Sequence, residues 1–138
     1  MPWYFYALLS AVAAAATAIL SKLGVEGVPS SVATGIRTIV VLVLAWAVVL
    51  SAGHQRVLAN VSGRTLVFLG LSGVATAVSW LAYFRALQAA PASLVAPIDK
   101  LSLPFTILLA SLVLRETVTL QQVAGVALMV AGALLAAR

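Results

Sequence analysis

Asp99 and Lys100, opposite in charge, stand side by side near the middle of an otherwise apolar run from Pro91 to Glu116, PASLVAPIDKLSLPFTILLASLVLRE. A carboxylate can carry a proton or hold an amine, and an ammonium can hold a carboxylate or a phosphate. The pair therefore has the chemistry to bind a small polar ligand or to exchange a proton with one. At about 1.5 Å per helical residue, Asp99 lies roughly 12 Å in from Pro91, well inside a hydrocarbon layer about 30 Å thick. A charge at such a depth costs about 2.5–3.5 kcal/mol and by default marks a functional group whose partner has to be named. Adjacent helical residues point about 100° apart, so the two charges need not neutralise each other. The competing account is structural, a kinked helix whose charges pair with neighbours to hold a bundle together.

Spacing adds companions to the pair. Ser93, Pro97, Lys100, Pro104, Ile107 and Ser111 recur at alternating four- and three-residue steps and form one stripe, with Asp99, Ser102 and Thr106 as a second polar line beside it. Pro97 and Pro104 donate no backbone hydrogen bond, so the carbonyls of Ser93 and Lys100 are expected to lack their helical donors. Backbone in that state persists at membrane depth only where it faces protein or a wet cavity. Elsewhere, Arg37 sits inside a second apolar run, where it either snorkels outward or meets a carboxylate or an anionic ligand, for which its planar fork suits it better than lysine. Ser72, Thr76, Ser79 and Tyr83 share a stripe with Trp80 alongside. These aromatics read either as an interfacial belt near Arg85 or as a recognition wall that stacks on a cation or closes over a ligand.

Catalysis has little to work with. Ser102 and Lys100 are two positions apart and face different ways, and His54 lies in a loop, so no nucleophile, base and orienting group converge. The chain has no cysteine and a single histidine, which removes thiol chemistry and cysteine metal sites, and no cofactor or metal is expected.

The elements that carry these residues follow from composition. Of 138 residues, 64% are hydrophobic and 8% charged. A soluble domain has about 25% charged residues, so the chain is an all-α integral membrane protein without room for a separate soluble domain. Its net charge of +5 comes from groups that flank or interrupt apolar segments, so the arginines point to lipid phosphates and not to nucleic acid.

Hydrophobic runs place spans at about residues 3–21, 31–50, 65–87, 92–114 and 119–137. The first opens on the aromatic group Trp3, Tyr4, Phe5 and Tyr6, carries the small stripe Ser10, Ala14, Thr17 and Ser21, and is read as a retained span instead of a signal peptide. GVEGVPSS and AGHQRVLANVSGR connect the first three spans, and neither His54 nor the Asn60-Val-Ser62 triplet is given a role. The fifth run, with Ala124, Gly125 and Gly132, reads as a packing or dimer face.

These residues resemble one repeat of the EamA branch of the drug/metabolite transporter superfamily. The stretches that carry the resemblance are YFRALQAAPASLVAPIDKLSLPFTILLASLVLRETVTLQQ and VAGVALMVAGALL, with SKLG and ATGIRT fitting the first two helices and APIDKLS resembling the single-repeat, five-helix members. Most family members have a small residue where this chain has Arg115, so no role passes to Glu116. The resemblance implies a single transmembrane domain over residues 1–138. It implies a carrier in the cytoplasmic (inner) membrane that moves, and by resemblance exports, a small polar metabolite such as an amino acid or a related zwitterion or anion by alternating access.

Known relatives are mostly built from two repeats of opposite orientation. A single repeat with an odd number of spans reproduces that arrangement only as an antiparallel, dual-topology homodimer. Lys22, Arg37, Arg85 and Arg138 fall on one side of the bilayer against Arg56, Arg64 and Arg115 on the other, close to no preference under the positive-inside rule. In this reading the substrate or proton-coupling residues are Asp99, Lys100, Arg37, Trp80, Tyr83, Ser102 and Thr76. The alternatives are a proton-coupled exporter of lipophilic cations, a flippase for a lipid-linked phosphate and, in a different class, a non-transporting membrane assembly subunit.

Overall fold

The structure, a computed structural model, describes residues 2–137, and the regular structure among them is entirely helical. In chain order the helices are α1 (Trp3–Gly24), α2 (Ser30–Ser51), a 3₁₀ segment (His54–Asn60), α3 (Gly63–Ala89), α4 (Ala92–Asp99), α5 (Ser102–Val113) and α6 (Leu120–Ala136). Among the described residues four stretches are long and apolar enough to cross a membrane: α1, α2, α3 and the run Ala92–Val113 formed by α4 and α5. The apolar helix α6 is shorter at 17 residues. Arg138, one of the charges in the expected side-to-side balance, lies outside the described residues.

The ends of these helices are set by local chemistry. Between α1 and α2, Gly27 adopts a φ of 72° that turns the chain, and the Pro29 carbonyl then accepts from Val32 N–H at 2.9 Å and Ala33 N–H at 3.1 Å. Ser62, just before α3, accepts from Thr65 N–H through its hydroxyl at 3.1 Å. Thr119 begins α6 with a reciprocal cap: its backbone N–H donates to Gln122 Oε1 at 2.8 Å, and Gln122 N–H donates to Thr119 Oγ1 at 3.3 Å. The connection between α2 and α3, expected as a polar loop, contains the 3₁₀ segment, which packs on α2.

The fourth expected span is where the structure departs from a simple reading. It is not one helix. It stops at Asp99 and restarts at Ser102, leaving Lys100 and Leu101 between α4 and α5. The restart also changes the meaning of Pro104, which now lies in the first turn of α5, where backbone N–H groups have no partner within the helix. Pro97 stays inside α4.

The chain forms two compact units. One contains the chain up to Lys22 and from Ala89 onward, with α6 packed against α4 and α5; its buried residues include Ala18, Val95 and Ala133. The other, Leu23–Gln88, buries Val25, Thr34, Phe84 and Leu87. Large apolar side chains are otherwise exposed along the helices, for example Leu44 at 63% and Leu128 at 75%. That surface is what a lipid-solvated helix needs, since acyl chains are as apolar as leucine.

Among the described residues Arg115 is the one non-glycine with a positive φ, 57°, a turn that brings Glu116 N–H to Ala110 O at 3.2 Å. Left-handed backbone costs an ordinary L-residue about 1 kcal/mol, and glycine is free of that cost. Arg115→Gly is therefore expected to stabilise the protein by about 1 kcal/mol, read as a higher midpoint in a denaturing-detergent titration of the protein in mixed micelles.

Candidate functional site

The structure gathers the expected site residues into two groups, one in each unit. In the first unit, the end of α4 brings Asp99 to the break. Lys100, past the helix end with φ −70° and ψ −7°, folds its side chain back so that Nζ stands 3.4 Å from Asp99 Oδ2. The pairing departs from what a 100° offset within one helix suggests, and the reason is that the helix has ended. The ion pair is open on the surface of the chain, with the lysine side chain 54% exposed and the aspartate 39%.

The backbone of the break is largely closed by tight turns. Lys100 N–H donates to Ala96 O at 3.3 Å, Leu101 N–H to Ile98 O at 3.0 Å and Leu103 N–H to Lys100 O at 3.0 Å. The Lys100 carbonyl, expected to lose its donor to Pro104, thus takes one from the residue before the proline. Ser102 is the first residue of α5, and its carbonyl accepts from Thr106 Oγ1 at 2.9 Å, so the second polar line is partly turned back on its own helix.

In the second unit, Arg37 packs on aromatic rings. Its Cζ stands 4.0 Å from the centroid of the Trp80 ring and 5.7 Å from that of Phe84, which is itself buried. α2 supplies the cation and α3 the aromatic platform, with Trp80 and Phe84 one turn apart on the same face. Tyr83 meets Phe84 edge to face at 6.5 Å between centroids. Thr76 is exposed, and its hydroxyl donates to Ser72 O at 2.9 Å within α3. The hydroxyls of Thr34 and Thr38, flanking Arg37, likewise donate to backbone carbonyls of α2, each at 2.8 Å.

Two polar side chains outside the expected site residues make specific contacts. Gln88 donates through Nε2 to Val28 O at 2.6 Å and Val25 O at 3.5 Å, tying the α1–α2 loop to the end of α3 beside the buried pair Val25 and Leu87. Within the first unit, Lys22 Nζ donates to Ala90 O at 3.2 Å in the α3–α4 turn. The available signal was a glutamine closing an apolar helix, but its targets are backbone carbonyls distant in sequence. Among the described residues no three His, Cys, Asp or Glu side chains converge as a metal site requires.

The model of the EamA-like transporter family matches residues 1–138. A Sinorhizobium sp. protein described as an uncharacterized transporter in the cobO 3' region is 48% identical over 135 residues, covering 98% of this chain and 96% of that protein. No solved structure matches.

An arginine this close to an indole ring is held by cation–π attraction worth about 0.5–2 kcal/mol, more as water is excluded. A double-mutant cycle of Arg37→Met and Trp80→Leu, read by unfolding in detergent, is expected to return a coupling of about that size between the two positions.

Proposed function

Because this chain belongs to the EamA-like transporter family, we propose that it moves a small polar metabolite, an amino acid or a related zwitterion or anion, outward across the cytoplasmic membrane. In this reading α6 is the fifth span, and the carrier is an antiparallel homodimer of copies inserted in opposite directions, as an odd number of spans requires for an inverted repeat. A transporter, rather than an enzyme, is also what the family and its Sinorhizobium relative indicate.

The observation that carries the proposal is the Asp99–Lys100 pair at a break in an apolar, membrane-length run. Broken helices place substrate and ion sites near the midplane of inverted-repeat carriers, where helix ends and freed backbone meet the ligand. Asp99 and Lys100 offer a zwitterion both its counter-charges: the ligand carboxylate goes to the lysine and the amine, or a coupling proton, to the aspartate. Ser102 borders the same break. Arg37, Trp80, Tyr83 and Thr76 supply a second polar and aromatic surface on α2 and α3. Because Lys100 already occupies the carboxylate of Asp99, a lipophilic cation would have to displace a covalently tethered ammonium, which weighs against a cation exporter.

The test is uptake into proteoliposomes containing this chain alone, offered radiolabelled amino acids, organic phosphates and lipophilic cations. Wild type is expected to move amino acids saturably, with Asp99→Asn and Lys100→Ala each lowering the rate at least tenfold while insertion and dimerisation persist. Undiminished uptake in Asp99→Asn would remove the aspartate from the mechanism. No uptake by folded, dimeric wild type would remove the homodimeric carrier.

A further inference from the structure

Arg37 is an intramembrane cation whose charge is not matched within its own unit. It is the eighth residue of α2, about 10 Å along the axis from Ser30, and Trp80 lies about 13 Å along α3 from Ala89. Each lies about two turns or more from that end of an apolar, membrane-length helix. Arginine stripped of water is retained only with acceptors or a counter-charge. Within the described residues of its own unit the single acid is Glu26, and no ion pair joins it to Arg37.

Its aromatic contacts do not fill that need. A guanidinium over a ring uses its π face, while its five N–H donors radiate in its plane and are left for acceptors at the edge. The contact at 4.0 Å to Trp80, backed by buried Phe84 at 5.7 Å, fixes the group on one side and narrows the directions in which the fork can point. A fixed, planar donor pair matches the two oxygens of a carboxylate.

We propose that Arg37, held on Trp80 and Phe84, is a carboxylate-binding site on the α2–α3 surface. The site takes the carboxylate end of a small organic acid or amino acid and repels cations. This rests on, and sharpens, the reading of the chain as a metabolite carrier: it makes the anionic group the part of the substrate that every transported molecule must have. Trp80 is the reporter, because an anion docking on the guanidinium changes the field on the indole beneath it.

The experiment uses the full-length chain in detergent with Trp3→Phe and Trp46→Phe, leaving Trp80 as the emitting tryptophan. It is titrated at constant ionic strength with sodium acetate, alanine, sodium phosphate and tetraethylammonium chloride. Saturable change in Trp80 emission with acetate or alanine and none with tetraethylammonium is expected. Arg37→Gln should abolish the response, and Arg37→Lys, which keeps the charge and loses the fork, should weaken it at least tenfold.

A response that survives Arg37→Gln, an equal response in Arg37→Lys, tighter binding of phosphate than of acetate, or no saturable response to either carboxylate overturns the site. Should Arg37→Gln fail to fold, judged by helical circular dichroism and size-exclusion profile, the Arg37→Lys titration decides alone. Because the readout is binding, saturable Arg37-dependent quenching without uptake would retain this site while the carrier reading fails. Uptake with no Trp80 response would do the reverse.

Discussion

Hydrocarbon offers no hydrogen bonds, so a chain that interrupts a membrane helix has to satisfy the interrupted backbone from its own atoms. The junction of α4 and α5 meets that requirement within a few residues. The carbonyls of Ala96, Ile98 and Lys100 each receive an N–H from Lys100, Leu101 or Leu103, and Pro104, which has no N–H to give, falls in the turn of α5 that needs none. With the main chain settled this way, the unusual cost at the junction lies in the side chains of Asp99 and Lys100. The pair reduces that cost by meeting at 3.4 Å, yet it stays open on the surface of the chain.

The same constraint governs how the rest of the chain holds together. Lipid-facing helices have no hydrophobic drive to pack against one another, so association falls to close approach at small residues and to polar contacts. Ala18 and Ala133 are among the few residues buried in their unit, and the carbonyls of the α1–α2 loop are held by Gln88 in the other. Val25 and Leu87, 1% and 0% exposed, fill the space beside that clamp. The polar atoms of this protein thus do two kinds of work. Gln88, Lys22 and the helical threonines satisfy backbone carbonyls, while Asp99, Lys100 and Arg37 keep ionic groups at depth where no carbonyl demands them.

Much of this was legible from the chain itself because it is local. Apolar runs placed α1, α2, α3 and α6 to within a few residues of their ends, and Pro29 with Ser30 marked the start of α2. What failed to show was the consequence of ending a helix. Pro97 and Pro104 announced a disturbance, but the interruption falls between them at Lys100–Leu101, and helical geometry then no longer separates Lys100 from Asp99. The position of Arg37 over Trp80 was equally out of reach, since periodicity assigns each residue a face of its own helix and says nothing of which face of another helix it meets. The two open alternatives, a snorkelling arginine and one that meets a carboxylate or an anionic ligand, were both compatible with the same spacing, and neither names an aromatic partner.

The two groups of charges differ in what they ask of a ligand. Asp99 and Lys100 together carry no net charge, so a zwitterion can replace one internal ion pair by two intermolecular ones without changing the charge buried in the membrane. A lone cation would leave Lys100 uncompensated, and a lone anion Asp99. Arg37 carries a full positive charge on an aromatic support, and any group that settles on its edge lowers the electrostatic cost of keeping it at depth. The other two acids, Glu26 and Glu116, lie outside the apolar helices. In the proposed carrier, then, the charges favour molecules with a carboxylate and tolerate an accompanying amine. Discrimination by charge of this kind needs no shape-complementary pocket, only cations that the bilayer makes expensive to leave alone.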